Sequence, residues 1–328
     1  MNSNLEPVDN WTFNQSFSFQ RPRLQTALDS TSLGEFKTCP RKYYYSILCG
    51  YTLAGVQIDL EFGSAGHRLQ EIYHLARGAN ATHEEALDSV VNHALVSTWD
   101  RKSGAPSWDD AQKNRLSLVR MAVEYFDHYE KEGTGPRTVI LESGKPAVEL
   151  TFAFDSGYRA STNEPIILCG HLDRLVQFNE DIYVSDLKTT RIALGTSYAA
   201  RYTPDNQFTM YTIAGRVALS VPARGVLLDA VQIGATFVRF ARFPIPRPQP
   251  VLDEWLTSLP YWLKQMDDCA AAAENIPAEE AYPQNDKACQ LYGGCQFRDV
   301  CARSPSTRQP ILKANYNKRR WDPVGQPR

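Results

Sequence analysis

Two acids and a lysine are closely spaced in a segment that we predict to form β-strands. Asp173 lies in GHLDR at 170–174, and Asp186 and Lys188 lie in SDLKT at 185–189. Residues two apart on a strand share a face, and opposed residues of an antiparallel pair lie close together. Carboxylate oxygens suit Mg²⁺ or Mn²⁺, and such an ion can activate water and stabilise charge on a phosphate. The predicted chemistry is therefore metal-dependent phosphodiester hydrolysis, with Lys188 orienting the water and the backbone carbonyl of Leu187 available as a further metal ligand.

A solvated ion pair between Asp186 and Lys188 is the simpler alternative, because Asp-x-Lys is common by chance. The helix that follows adds context, since Gln207 and Tyr211 are one turn apart and share a face. Gln207 could orient Lys188 or a phosphate. Tyr211 could contact DNA, or it could pack on the sheet.

The hydrophobic pattern predicts helices before and after a run of strands. We predict helices at 67–77, 84–100, 108–132, 205–219 and 251–275, strands at 147–154, 166–178 and 182–187, and one or two strands at 226–240. The residues 179–181 should join two of these strands as a hairpin.

Composition limits the class of protein. Of 328 residues, 43% are apolar, so the chain can bury a core. The net charge is −2, so any positive surface for nucleic acid must be local. There is no signal-peptide pattern and no apolar run of membrane-spanning length, so we expect a cytoplasmic protein that does not enter a membrane.

The predicted domain organisation has three parts. Residues 1–27 form a loosely ordered N-terminus, and 28–304 form one domain that includes a helical region at 61–135 and a C-terminal cysteine cluster. Residues 305–328 form a basic tail, which could be a phosphate-binding arm or a solubilising end. The sequence RKYYY at 41–45 interleaves basic and aromatic residues, which suits single-stranded nucleic acid, although the tyrosines could equally pack in the core.

The cysteines are distributed unevenly along the chain. There are seven, an odd number without an export signal, which favours metal ligation or buried thiols over disulfides. Cys289, Cys295 and Cys301 are separated by five residues each, and Cys39 is the candidate for a fourth ligand. Zinc is an alternative, although the usual Cys-x₂₋₄-Cys spacing is absent. Unrelated free thiols are another.

The acid and lysine motifs resemble the core of the PD-(D/E)XK nuclease superfamily, in its RecB-like branch. There a Gly-x-x-Asp-Arg strand precedes Asp-x-Lys-Thr, with Leu172 here in place of the nominal proline. The resemblance implies an α/β fold with a restriction-endonuclease-like core, in which helices flank a mixed sheet, and with an extra N-terminal helical region. It also implies DNA hydrolysis with Mg²⁺ or Mn²⁺, catalysed by Asp173, Asp186 and Lys188 beside a Gln207-x-x-x-Tyr211 helix.

Further residues take roles only through this resemblance. It implies that His67, at the start of a helix, joins Asp173, Asp186 and Leu187 as a metal ligand, and that Glu149 is an acid on the first strand. Iron–sulfur members of the branch, similar to AddB and the nucleases of CRISPR adaptation, place one cysteine before the core and three after it. The resemblance thus implies a structural [4Fe–4S] cluster, held by four thiolates. Its ligands would be Cys39, Cys289, Cys295 and Cys301.

The sequence therefore predicts a metal-dependent DNA nuclease, an exonuclease acting on DNA ends or single strands. A helicase or recombination protein is a possible partner. The alternative is a non-catalytic DNA-binding or recombination-complex subunit that retains the nuclease fold, and a third hypothesis is a zinc-stapled structural protein.

Overall fold

The computed structural model describes residues 5–8, 16–133 and 135–324. The helices are α1 Ser30–Thr38, α2 Pro40–Tyr43, α3 Ile58–Gly78, α4 His83–Ser97, α5 Arg115–Glu132, α6 Thr196–Ala199, α7 Asn206–Val217, α8 Gln249–Ala272, α9 Ala278–Ala281, α10 Arg298–Cys301 and α11 Pro305–Asn315. The strands are β1 Ala27–Leu28, β2 Tyr51–Leu53, β3 Trp99–Asp100, β4 Ala105–Pro106, β5 Arg137–Thr138, β6 Val148–Arg159, β7 Pro165–Phe178, β8 Asp181–Thr190, β9 Ala223–Ile233, β10 Val238–Pro246 and β11 Tyr316–Lys318. A π-helical turn covers Tyr44–Leu48, and 3₁₀ turns cover Ala200–Tyr202 and Asp286–Gly293. No helix in these ranges is long and apolar enough to cross a membrane.

The chain divides into two compact units. The central unit contains residues 56–133, 135–151 and 171–248 of the described chain. The terminal unit contains the described residues before 56 and after 248, together with 152–170.

The central unit is built on a mixed sheet. Strand β7 pairs antiparallel with β8, β8 pairs parallel with β9, and β9 pairs antiparallel with β10. The predicted hairpin between β7 and β8 is confirmed, because Phe178 pairs with Asp181 across a two-residue turn. Asn179 takes a φ of 55° in that turn, and asparagine tolerates this left-handed conformation better than most residues.

Helices cover both faces of this sheet. Phe62 and Leu69 of α3 lie in one buried apolar cluster with Leu187 of β8 and side chains of α4 and α5. Helix α7 packs on the opposite face, where a Cβ at Gly215 would lie 3.8 Å from Val184. Because side chains alternate along β8, the helices α3–α5 cover the face of Leu187 and α7 covers the face of Val184.

The terminal unit includes most of both predicted tails. Phe17 and Leu24 are buried before β1, which pairs parallel with β7 at Ile167. Leu312 of α11 is fully buried in a cluster with Phe297, and β11 pairs with β2. Burial of these apolar side chains stabilises segments whose overall composition is polar. Residues 1–4, 9–15 and 325–328 of the predicted tails lie outside the described residues.

The basic-aromatic segment 41–45 lies largely in the interior of the terminal unit. Tyr43 and Tyr45 are 1% and 0% exposed. Arg41 is also buried, and it donates hydrogen bonds to the backbone carbonyls of Tyr282 and Glu279. Of the two alternatives for this segment, packing in the core is therefore the one that the structure supports for these three side chains.

Candidate active site

The two predicted acids lie on paired strands of the central unit. Arg174 lies opposite Ser185, and Asp173 and Asp186 are the next residues along β7 and β8. Oδ2 of Asp173 accepts a hydrogen bond from the backbone N–H of Leu187 at 3.3 Å. Burial raises the pKa of Asp186, and the negative charge of Asp173 raises it further. The two carboxylates therefore lie within electrostatic reach of each other.

His67 lies beside the first acid. Its Nδ1 is 2.8 Å from Oδ2 of Asp173. Burial by itself would lower the pKa of His67, but the charge and hydrogen bond of Asp173 raise it above the ordinary value. The carboxylate of Asp173 therefore stabilises the protonated form of the imidazole.

The start of the His67 helix was predicted incorrectly. We predicted a helix that begins at residue 67, whereas α3 begins at Ile58 and contains both Gly63 and Gly66. A Cβ at Gly66 would lie 3.3 Å from Cδ2 of Leu187 and 3.4 Å from Cε of Met121. Glycine here lets α3 pack close to β8, and this close packing outweighs its low helix propensity.

The second acid begins a chain of polar contacts that ends on α7. Nζ of Lys188 lies 2.7 Å from Oδ2 of Asp186 and donates to Oε1 of Gln207 at 3.0 Å. Nε2 of Gln207 then donates to the hydroxyl of Tyr211 at 2.9 Å. The predicted shared face of Gln207 and Tyr211 is thus present, and it is directed toward Lys188.

The electrostatics of this chain keep the lysine charged. Burial alone would lower the pKa of Lys188, but the carboxylate of Asp186 raises it above its usual range, with a smaller contribution from Tyr211. Asp186 is 1% exposed, and the cationic partner of its Oδ2 is the ammonium of Lys188 at 2.7 Å. A buried carboxylate oxygen of this kind favours a cation as its partner.

A small cavity opens beside His67 and Asp173. Glu71 and His74 of α3 and Glu149 of β6 also line it. Glu149 has a φ of 49°, a left-handed conformation that costs about 1–2 kcal/mol for a residue with a Cβ. In this conformation Glu149 lines the cavity as a third carboxylate, together with Asp173 and Glu71. No set of three or more His, Cys, Asp or Glu side chains within 5–8, 16–133 and 135–324 is arranged to hold a metal ion.

The four predicted cluster cysteines all lie in the terminal unit. Cys39 separates α1 from α2, and its Sγ accepts a hydrogen bond from the backbone N–H of Asn285 at 3.3 Å. Burial raises the pKa of Cys295, and it raises that of Cys301 to about 11. The charge of Cys39 adds to both shifts, and that of Cys289 adds to the shift of Cys295. Cys39 therefore reaches the C-terminal cysteines electrostatically, although all of them are free thiols.

Two further tyrosines near the site were missed from the sequence. Tyr198 and Tyr202 lie between β8 and α7, and Lys188 acts electrostatically on Tyr198. Their spacing of four residues on a helical turn, shortly before Gln207, was the available signal.

Comparison with known proteins supports the predicted fold. A comparison with curated proteins found no match. A family model described as the PD-(D/E)XK nuclease superfamily matches residues 30–302, which include both acids, Lys188 and α7. The α/β fold with a mixed sheet flanked by helices is confirmed by this match and by the strand pairing. Since the match extends over most of the chain, the protein belongs to the PD-(D/E)XK nuclease superfamily.

Proposed function

We propose that the protein is a metal-dependent DNA nuclease of the RecB-like branch, acting as an exonuclease on DNA ends or single strands. Members of the superfamily generally hydrolyse phosphodiesters. The observation that carries the proposal is the position of Lys188, which is fixed between a buried carboxylate at 2.7 Å and a glutamine at 3.0 Å. A solvated ion pair, the simpler alternative, would not need the buried Asp186 or the contact with α7.

The donor types suit a hard divalent cation, although no group of three such side chains in the described residues is arranged to hold one. Asp173 and Asp186 supply carboxylate oxygens, and His67, whose Nδ1 is 2.8 Å from Oδ2 of Asp173, supplies an imidazole nitrogen. These side chains, with the predicted carbonyl of Leu187, would hold the Mg²⁺ or Mn²⁺ that the superfamily typically uses. When bound, such an ion supplies Lewis acidity and lowers the pKa of a coordinated water.

Lys188 acts as a hydrogen-bond donor and a positive charge rather than as a general base. Its pKa is raised, so the ammonium keeps its proton at neutral pH. It can then donate a hydrogen bond to the attacking water or to a non-bridging phosphate oxygen as negative charge develops. Gln207 limits the rotation of the ammonium, and Tyr211 in turn holds Gln207.

Oligonucleotides labelled at either end provide the test, in single-stranded and duplex form, with Mn²⁺ and with EDTA. We expect stepwise shortening from an end, and about 10²- to 10³-fold slower cleavage by Asp186→Ala and by Lys188→Ala, with unchanged circular dichroism. Lys264→Ala is the matched control, because that lysine forms an exposed ion pair with Asp268 on α8. Retained cleavage in both site variants would contradict the proposal. DNA binding without cleavage by the wild-type protein would favour the non-catalytic subunit.

The proposal includes a [4Fe–4S] cluster held by Cys39, Cys289, Cys295 and Cys301. Its support is that all four cysteines lie in one compact unit, and that Sγ of Cys39 contacts Asn285, four residues before Cys289. Four thiolates are the usual ligands of such a cluster. A helicase or recombination protein would be the partner, as the resemblance implies.

Anaerobic purification tests the cluster. We expect a brown protein with broad visible absorption, and loss of that absorption in Cys295→Ser. Cys269→Ser is the control, since that half-buried thiol lies in the terminal unit outside the predicted set. A colourless protein that contains zinc would favour the zinc-stapled alternative, and a colourless protein without metal would leave the thiols free.

A further inference from the structure

Two tyrosine hydroxyls lie together beside the candidate active site without a role in the proposed chemistry. Tyr198 is on α6, and Tyr202 ends the 3₁₀ turn Ala200–Tyr202. Their hydroxyl oxygens are 3.2 Å apart, which is within hydrogen-bonding distance. Tyr198 is 4% exposed, whereas Tyr202 is only partly buried. Tyr202 is therefore the member of the pair that a ligand can reach.

The pair is on the same side of β8 as the reacting groups. Asp186, Lys188 and Thr190 are spaced two residues apart on that strand, so their side chains lie on one face. The hydroxyl of Thr190 is within hydrogen-bonding reach of Tyr198, and the charge of Asp186 acts on Tyr202. Burial is the main cause that raises the pKa of both phenols, so both keep their protons at neutral pH.

Packing fixes the position of the Tyr202 ring. The ring stacks on Phe208 of α7 with centroids 4.9 Å apart and an angle of 15° between the planes. The backbone carbonyl of Tyr202 accepts a hydrogen bond of 2.6 Å from Nη2 of Arg247, which is 2% exposed and also bonds Thr209 of α7. A phenol held in this way loses little conformational entropy when it binds a ligand.

The hydroxyls can form a directional chain. Each hydroxyl donates one hydrogen bond and can accept others. If Thr190 donates to Tyr198 and Tyr198 donates to Tyr202, the remaining proton is that of Tyr202, on the side open to solvent. An outward donor near a lysine matches a phosphate oxygen, which only accepts hydrogen bonds.

We propose that Tyr202, oriented by Tyr198, binds a second phosphate of the substrate strand, next to the phosphate that Lys188 faces. The proposal depends on the proposed nuclease function, because it assigns the substrate strand a path from Lys188 along the segment before α7. The exposed Arg201 adds positive charge beside this path. Tyr202 contacts the substrate directly, and Tyr198 is a positioning residue that acts through it.

The test is binding of single-stranded oligonucleotides in EDTA, measured by fluorescence anisotropy. Tyr202→Phe keeps the ring that stacks on Phe208 and removes only the hydroxyl. We expect its Kd to rise about ten- to 150-fold, as for loss of a hydrogen bond to a charged group. Tyr198→Phe should produce a smaller rise, and Tyr261→Phe, on the exposed side of α8, should produce none.

A set of oligonucleotides with one neutral methylphosphonate at successive positions locates the contact. At one position, the methylphosphonate should weaken binding by the wild-type protein but hardly weaken binding by Tyr202→Phe. The reason is that Tyr202→Phe already lacks the hydroxyl that would contact this phosphate. Tyr198→Phe should show the same coupling at that position. Equal losses for both proteins at every position would overturn the inference, and so would wild-type affinity in Tyr202→Phe.

The cleavage assay separates this inference from the proposed function. Mn²⁺-dependent cleavage by the wild-type protein without position-specific coupling would refute the phosphate subsite alone. Coupling at one phosphate without any cleavage would refute the nuclease proposal and support the subsite as part of a DNA-binding protein.

Discussion

Gln207 offers a sensitive test of how the catalytic lysine is held. It accepts a hydrogen bond from Nζ of Lys188 at 3.0 Å and donates one to the hydroxyl of Tyr211 at 2.9 Å. Gln207→Met keeps the length of the side chain and removes both bonds. The ammonium then retains only its 2.7 Å contact with Asp186 among the interactions described above.

The structure sets the expected size of the effect. A hydrogen bond to a charged group contributes about 1.5–3 kcal/mol. The lower end applies because the side chain of Lys188 is 25% exposed, so water can replace part of the lost bond. About 1.5 kcal/mol corresponds to roughly tenfold in kcat. Tyr211→Phe should have a smaller effect, since it only loosens Gln207, and Lys188→Ala should have a much larger one.

The assay is single-turnover cleavage of an end-labelled oligonucleotide with saturating Mn²⁺, together with thermal unfolding of each variant. The predicted order of rates is wild type, Tyr211→Phe, Gln207→Met and then Lys188→Ala, with similar Tm values. If Gln207→Met cleaves within twofold of the wild type, α7 does not position the lysine. If it is as inactive as Lys188→Ala, Gln207 must contact the reacting groups itself.

Three further predictions concern stability. Arg242→Met should destabilise the fold by about 3 kcal/mol in denaturant unfolding, because it removes the guanidinium 3.3 Å from the fully buried Asp229, and an unchanged midpoint would show that other groups neutralise this acid. Burial, followed by the charge of Arg174, lowers the pKa of His74 well below its usual value, so the unfolded chain binds a proton that the folded protein does not. The contribution of His74 is therefore complete above about pH 6.5 and falls as the pH drops through that value, by at most about 1.4 kcal/mol per unit. His74→Gln should make the unfolding free energy less dependent on pH between 5 and 7, and an identical pH profile would contradict this. Leu312→Ala should cost about 2–5 kcal/mol by leaving a cavity, whereas a mobile tail would tolerate it.

The hairpin of β7 and β8 and the helix α7 were predictable because their signals are local. The largely apolar runs at 166–178 and 182–187 predict strands, and a short polar turn between them favours antiparallel pairing. The spacing of Gln207 and Tyr211 places them on one face of any α-helix. These features depend on neighbouring residues, so distant contacts did not alter them.

Distant packing decided what local signals could not. The helix predicted to begin at residue 67 begins at Ile58, and a Cβ at Gly66 inside it would lie 3.3 Å from Leu187. The sequence left two alternatives for the tyrosines at 43 and 45, and their burial depends on chain segments far away in sequence. The basic composition after 304 predicted a tail, whereas Leu312 of α11 is buried in a cluster with Phe297 in the terminal unit.

The sequence by itself determined which reactive groups are present and how they are spaced within single elements, because strand alternation and helical repeat are properties of a few consecutive residues. The pair Asp186 and Lys188 and the pair Gln207 and Tyr211 are groups whose shared face follows from such local spacing. Only the tertiary structure decided that His67 faces Asp173, that Gln207 holds Lys188, and that Tyr198 and Tyr202 lie beside the site. Those pairings depend on how α3, α6 and α7 pack on the sheet, and packing is determined by the shapes of side chains that are distant in sequence.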